Sequence, residues 1–197
     1  MSTIRPFAEL ALELRTPRLV LRPLEATDVE ALWPHVSDPD LPYFMTWETH
    51  RDRAETAQFL AMVAESRAAE RGIAWGIHHE GALCGVIGLE GIRRQLGAWQ
   101  MDSGEIGFWV GRAHRNRGII TEATREVVRF GFEDLGLHKI LIGHVAENVA
   151  SQRVIEKVGF RYIGVRREHL HRHGRWWDHR DYELLDADWR AMSPSER

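Results

Sequence analysis

The 197-residue chain has a single cysteine, Cys84, so it can build neither a disulfide framework nor a cysteine-based zinc cage, and a reducing compartment is expected. It also lacks an excess of basic charge: 26 Lys and Arg stand against 29 Asp and Glu, a formal net charge of −3. Without a global positive field no nucleic-acid partner is expected, and any local run of arginines has to be read on its own terms. Long uncharged apolar runs are missing as well. The opening stretch "MSTIRPFAELALELRTP" carries charges within its apolar part and fits neither a signal peptide nor a membrane span, so no membrane partner and a cytoplasmic location are expected. Neither the phosphate loop G-x-x-x-x-G-K-[ST] nor the dinucleotide fingerprint G-x-G-x-x-G occurs. No repeat, low-complexity tract or Pro/Gly/Ser linker divides the chain, and one domain over 1–197 is expected, with a core of about 16–187.

What is present suits an ordinary globular domain: 44% of residues are hydrophobic and 28% charged. "RLVLRPL" (18–24) alternates as a strand, and "TDVE" (27–30) has the form of a capping box opening a short helix to about 36. After the loop "SDPDLPYFMTWETH", Ala57, Leu60, Val63 and Ala64 recur at helical spacing within about 51–69. "IAWGIHH" and "LCGVIGL" flank Glu80-Gly81 as a hairpin, and "EIGFWV" (105–110) follows as a strand after a loop over 91–104. Ile120, Ala123, Val127, Phe130 and Gly131 share one face of a helix over 119–135, and "KILIGHV" (139–145) is too apolar for an exposed edge. Strand, helix, strand predicts a parallel pair at some distance in the sheet. A helix over 148–158 ends at Gly159, and "YIGVRREHL" and "WWDHRDYELL" close the chain as a hairpin across "HRHGR". The class is mixed α/β with seven or so strands.

The most informative segment is "HRNRGIITEA" (114–123), where a buried strand ends in a basic turn that runs into a helix. The first N–H groups of a helix have no intrahelical partner and its start carries about half a positive charge, so such a turn suits a phosphate or pyrophosphate. Arg115 and Arg117 add full charges, and Gly118 lets the backbone come close. A solvated basic helix start is the competing reading of these residues alone.

In combination the motifs are more specific. "TPRLVLRPLEATDVEALW", "GEIGFWVGRAHRNRGIITEA", "AENVASQRVIEKVGF" and "HGRWWDHRDYELL" together resemble the GNAT acetyltransferase superfamily, within it the ribosomal-protein-alanine and ribosomal-protein-serine N-acetyltransferase branch (RimJ/RimL-like). The superfamily loop reads Q/R-x-x-G-x-G/A; Arg115 and Gly118 fit it, and Ile120 replaces the last small residue with a side chain that can face the buried side of the helix. The resemblance implies an α/β (α+β) fold with a mostly antiparallel sheet of about seven strands, a splayed central parallel pair and flanking helices. It implies acetyl-CoA as co-substrate, no metal, and a primary amine as acceptor, with a protein N-terminus favoured over a small molecule; a homodimer is left open. By the same resemblance, main chain near Trp109 and Val110 pairs with the pantetheine arm. Arg115, Arg117, Gly118, Ile120 and Thr121 contact the pyrophosphate and adenosine side. Asn148 bonds the arm, and Ser151 donates toward the sulfur.

Direct attack needs a neutral amine. At pH 7 deprotonating an α-amino group of pKa about 7.8 costs roughly 1 kcal/mol, and a lysine near 10.4 roughly 4.6 kcal/mol, so a weak base suffices for the first. Glu105 fits as that base, directly or through water, and equally as an exposed strand-end carboxylate; Glu168 is a second candidate on the acceptor side. Ser151, three residues after Asn148, shares its helix face, and the pair also reads as an N-cap with a first-turn serine. Trp47 is core or a wall of the acceptor pocket. His169, His171 and His173 alternate, which on a strand shares one face, yet no carboxylate or cysteine sits at ligand spacing and solvated hairpin histidines are expected. Cys84 reads as core.

Overall fold

The computed structural model describes residues 4–193; residues 1–3 and 194–197, the ends of the expected domain, lie outside the described residues. The chain forms an eight-stranded sheet in the order β1-β2-β3-β4-β5-β6-β8-β7, with helices on both faces. The strands are β1 (Leu14–Arg15), β2 (Leu19–Pro23), β3 (Ile73–His79), β4 (Ala82–Leu96), β5 (Trp99–Val110), β6 (Lys139–Val145), β7 (Arg161–Arg172) and β8 (Arg175–Leu185). The helices are α1 (Val29–Val36), α2 (Arg53–Ala68), α3 (Ile119–Arg129), α4 (Val149–Val158) and α5 (Asp186–Ala191). The eighth strand beyond the seven or so expected is the two-residue β1, too short to show a period.

All neighbours are antiparallel except β5 and β6. These two are adjacent, not distant as the strand–helix–strand order suggested. They pair only from Ser103↔Lys139 to Ile106↔Ile142, after which β5 runs on to Val110 and β6 to Val145 without pairing. This is the splayed parallel pair.

Two apolar clusters sandwich the sheet. Leu24, Leu32, Val36, Leu60, Val86 and Trp109 pack under α1 and α2 on one side. The larger cluster joins Trp75, Ile87, Ile106, Val127, Phe130, Ile140, Ile155 and Trp189 under α3, α4 and α5. β3 is buried on both faces, which explains why "IAWGIHH" reads as a continuous apolar run.

Local details depart from the sequence reading at three places. The capping box closes between Glu25 and Asp28 around a 3-10 turn (Ala26–Asp28), two residues before the expected Thr27 and Glu30. Where a loop over 91–104 was expected, β4 and β5 continue as a hairpin arm through Arg93↔Ser103 and Leu96↔Trp99. The arm is interrupted by irregular register after Glu90 and most of its β4 half is exposed, so it has no buried face to imprint a hydrophobic alternation. Finally, the expected helix over 119–135 widens after Arg129 into a π-helical turn (Phe130–Leu135), where a Cβ on Gly131 would lie 2.8 Å from Ile140 Cδ1.

Trp75 is fully buried, donates its indole N–H to the Leu12 carbonyl at 2.6 Å and meets the Phe130 ring edge-on at 5.5 Å. Trp75→Ala is therefore expected to cost about 3–5 kcal/mol of unfolding free energy, read from the midpoint of a urea titration.

Candidate active site

Beyond Ile106 and Ile142 the two central strands diverge, and the ladder edge of β5 that would face β6 is left without a strand partner. A cavity of about 710 Å³ occupies this opening. Glycines line it: Gly88 on β4 pairs with Gly107 on β5, and Gly143 lies on β6. A Cβ on Gly107 would meet nothing within 4 Å, so the missing side chains are what keep the floor low.

Residues from both faces of the sheet line the same cavity, because the opening passes between the strands. Glu105, Gly107 and Trp109 alternate with Ile106 and Phe108 along β5, and all five are in the wall. At one side stand Asn148 and Ser151 at the start of α4, where Asn148 Oδ1 accepts the Ser151 backbone N–H at 3.2 Å as the helix cap. The other side is built by Trp47, His50, Phe59 and Met62. Trp47 is half-buried, 6.3 Å from the Trp109 ring. Arg172 near the tip of the closing hairpin anchors this wall by donating to the Trp47 carbonyl at 3.1 Å and to Glu48 at 2.8 Å.

Of the residues singled out in the sequence, Trp47, Glu105, Trp109, Asn148 and Ser151 are thus gathered on one cavity. Val110 ends β5 beside it, and the basic turn follows directly. Gly118 holds φ +73° as the N-cap of α3, a conformation that costs a side-chain-bearing residue about 1–2 kcal/mol. No side chain caps α3. The first intrahelical bond is from Glu122 N–H to the Gly118 carbonyl at 3.1 Å, which leaves the N–H groups of Ile119, Ile120 and Thr121 unclaimed by any cap. Arg115 and Arg117 are exposed beside them, and the Ile120 side chain is buried in the larger core. Glu168 stands apart: it is exposed on β7 at φ +48°, its N–H donating to Asp178 at 2.8 Å.

The turn is braced by a residue the sequence reading did not single out. Arg18 donates to the Arg117 carbonyl at 3.1 Å and to Glu122 Oε2 at 2.6 Å, while Thr16 Oγ1 donates to Glu122 Oε1 at 2.5 Å. Burial opposes ionisation of Glu122, but the bonds from Thr16 and Arg18 outweigh it and hold the carboxyl below its ordinary value.

Other cavity residues also went unread: Glu90, opposite Glu105 on β4, and His50, His144 and His179. Desolvation, and after it the Glu105 charge, raise the Glu90 carboxyl. Burial lowers His50, His144 and His179, favouring neutral rings. The one available signal was the isolated glycines inside "LCGVIGL" and "KILIGHV", which mark a close approach to a strand. The alternating histidines do not converge: His169 accepts from Arg166, His171 packs on Trp176 and His173 stacks on Tyr43. A register shift between Arg166 and Leu170 breaks the alternation that would have put them on one face. Among the described residues no three His, Cys, Asp or Glu side chains are grouped for a metal ion. Cys84 is fully buried, its thiol pushed up to about 11 chiefly by desolvation, and belongs to the core.

Comparison with known proteins places this geometry. The family described as acetyltransferase (GNAT) domain matches residues 18–161. The probable N-acetyltransferase YjcK of Bacillus subtilis is 41% identical over 42% of this chain, which spans only 46% of that protein. The uncharacterized N-acetyltransferase YoaA of the same organism is 29% identical over 87% of this chain and 96% of its own length. The [ribosomal protein uS5]-alanine N-acetyltransferase of Escherichia coli is 23% identical over 89% and 92%. Among solved structures RimL, a ribosomal L7/L12 alpha-N-protein acetyltransferase in complex with coenzyme A, superposes with a TM-score of 0.80 at 17% identity, covering 89% of this chain and 99% of its own. No helix among the described residues is long and apolar enough to cross a membrane.

Because the Glu122 carboxyl is held below its ordinary 4.5, its contribution to stability is complete above that value and fades as the pH falls below it. Glu122→Gln is expected to lower the thermal midpoint at pH 7, with the difference from the parent shrinking on acidification; a gap that stays constant down to pH 3 would contradict the brace.

Proposed function

The chain belongs to the GNAT acetyltransferase family, and from that premise we propose that it moves the acetyl group of acetyl-CoA to the α-amino group of a protein N-terminus, by direct attack within a ternary complex in the cytoplasm. The observation that carries the reading is the cavity between the parted strands, with Asn148 and Ser151 at one side and Trp47, Glu105 and Trp109 at the other. Groups from both faces of the sheet line it, which supports two reactants meeting there.

On the donor side, the uncapped N–H groups of Ile119, Ile120 and Thr121, with Arg115, Arg117 and the close-approach position Gly118, suit a diphosphate. The unpaired edge of β5 toward Trp109 and Val110 offers main-chain partners to the amides of the pantetheine arm and an N–H for the thioester carbonyl as charge develops there. Asn148 holds the arm near its sulfur, and Ser151 donates a proton to the leaving thiolate. On the acceptor side Glu105 draws the amine in and receives its proton directly or through water, with Trp47 as an apolar wall. Glu168, away from the cavity, is left with at most the rim of a bound acceptor.

A peptide acceptor is favoured because an α-amino group needs little help to become neutral at pH 7. Support also comes from the relatives named for the alanine of ribosomal protein uS5 and for the α-amino group of ribosomal L7/L12. A small amine is the alternative acceptor that one assay separates from it.

The assay is release of CoA thiol from acetyl-CoA against N-terminal peptides and a panel of antibiotics, polyamines and amino acids. Turnover is expected with peptides; turnover confined to small amines would reassign the acceptor, and none at all would point to a CoA-binding module without catalysis. Ser151→Ala and Glu105→Gln are each expected to lower kcat/KM about 10²-fold with the fold intact.

A further inference from the structure

His179 on β8 has a setting that the roles given above leave unused. Its ring lies in the cavity over Gly143, where a built Cβ would run into Cε1 and stand 3.0 Å from Nε2. Gly143 thus makes the room that brings the ring to the opening between β5 and β6. Nδ1 is 3.0 Å from Asp181 Oδ1 and 3.0 Å from Arg166 Nη2. Arg166 in turn grips Asp181 twice, Nε to Oδ2 at 2.7 Å and Nη2 to Oδ1 at 2.5 Å, while its Nη1 meets His169 Nε2 at 2.7 Å. Nδ1 can therefore either accept the second hydrogen of Arg166 Nη2 or donate to Asp181 Oδ1, and in the second arrangement the ring hydrogen is on Nδ1. The Nε2 lone pair then faces the cavity. The irregular register of β7 between Arg166 and Leu170 is what places Arg166 and His169 together beside β8.

We propose that His179 is the final acceptor of the proton that the incoming amine must shed, with Asp181 and Arg166 as its positioning residues. The inference rests on the N-acetyltransferase reading and deepens it. An ammonium acceptor, drawn in by Glu105, loses one N–H bond to that carboxylate, which hands the proton on, directly or through water, as an Nε2–H bond forms on His179. The freed nitrogen pair attacks the thioester carbon, and the C–S bond breaks with its electrons on sulfur. The second proton on nitrogen goes to that sulfur by way of Ser151, so the products are an amide, a thiol and an imidazolium that returns its proton to water.

The chemistry favours an imidazole over a carboxylate at this step. An ordinary carboxyl lies about 3.5 pH units below an α-amino group and an ordinary imidazole about 1.3, so an imidazole starts as the shallower climb, which burial of this ring steepens. Burial keeps His179 below 6.5; Asp181 pulls it upward, and Arg166 and His169 oppose that, with Glu105 acting on Arg166 from β5. The ring is therefore neutral and able to accept at pH 7.

Two measurements test this. The tautomer of His179 is read from long-range proton–nitrogen spectra at pH 7.5, assigned with His179→Asn; an unprotonated Nε2 is expected, and a proton on Nε2 or a charged ring overturns the proposal whether or not an acceptor has been identified. The pH dependence of kcat is then compared for the parent, H179N and D181N with the best acceptor found. H179N is expected to lose about 10²-fold in kcat together with the parent's inflection below pH 6.5, at unchanged CoA affinity, and D181N to shift that inflection. H179N within threefold of the parent, or retaining the inflection, would sink the role of His179 alone, whereas a parent that releases no thiol would sink the acetyltransfer reading.

Discussion

Everything in this site follows from two strands that begin as partners and then part. β5 and β6 share four residue pairs, enough to fix their register, and are then carried apart, so between Gly107 and Val110 β5 keeps its ladder with β4 while the main-chain groups on its other edge have no strand to pair with. Unpaired backbone polar groups in the middle of a sheet are costly unless something bonds them. A ligand with amides of its own answers that need, and the glycines at 88, 107 and 143 leave room for one. The opening is an outcome of topology: β6 must return parallel to β5 through α3, so the helix start and its basic turn come directly off the end of the parted strand.

The flanking elements translate that opening into a reactive geometry. α4 begins immediately after β6, which brings its capped first turn, and so Asn148 and Ser151, to one side of the cavity. The loop carrying Trp47 supplies the opposite wall and is held by Arg172 from the closing hairpin. The same hairpin contributes His179, Asp181 and Arg166. The groups proposed to face the donor and the acceptor therefore come from different parts of the chain, and the sheet sets the distance between them. The turn itself is kept in shape by Arg18 and Glu122, a link between the first long strand and the helix start.

Much of this was legible in the residues. The strand ending at Val110, the positive-φ glycine opening α3, the Asn148 cap and the Gly159 stop are local features, written in a few consecutive residues. What escaped had nonlocal causes. The hairpin arm beyond Glu90 has little buried face and so leaves no periodic trace. The β7 irregularity near Glu168 moved that glutamate away from the site and separated the three histidines. Glu90 and His179 carry no motif; only pairing opposite Glu105 and stacking over Gly143 gives them a place.

The sequence by itself determined the turn, the caps and the apolar faces, because each depends on neighbours a few positions apart, and its four motifs in combination carried the family resemblance. Tertiary structure alone decided where β5 and β6 separate, which side chains meet across that gap and which histidine is oriented by a carboxylate. The strand and wall contacts behind them join residues far apart in the chain, such as Ser103 with Lys139 and Trp47 with Arg172, and they exist only once the sheet order and register bring the strands together.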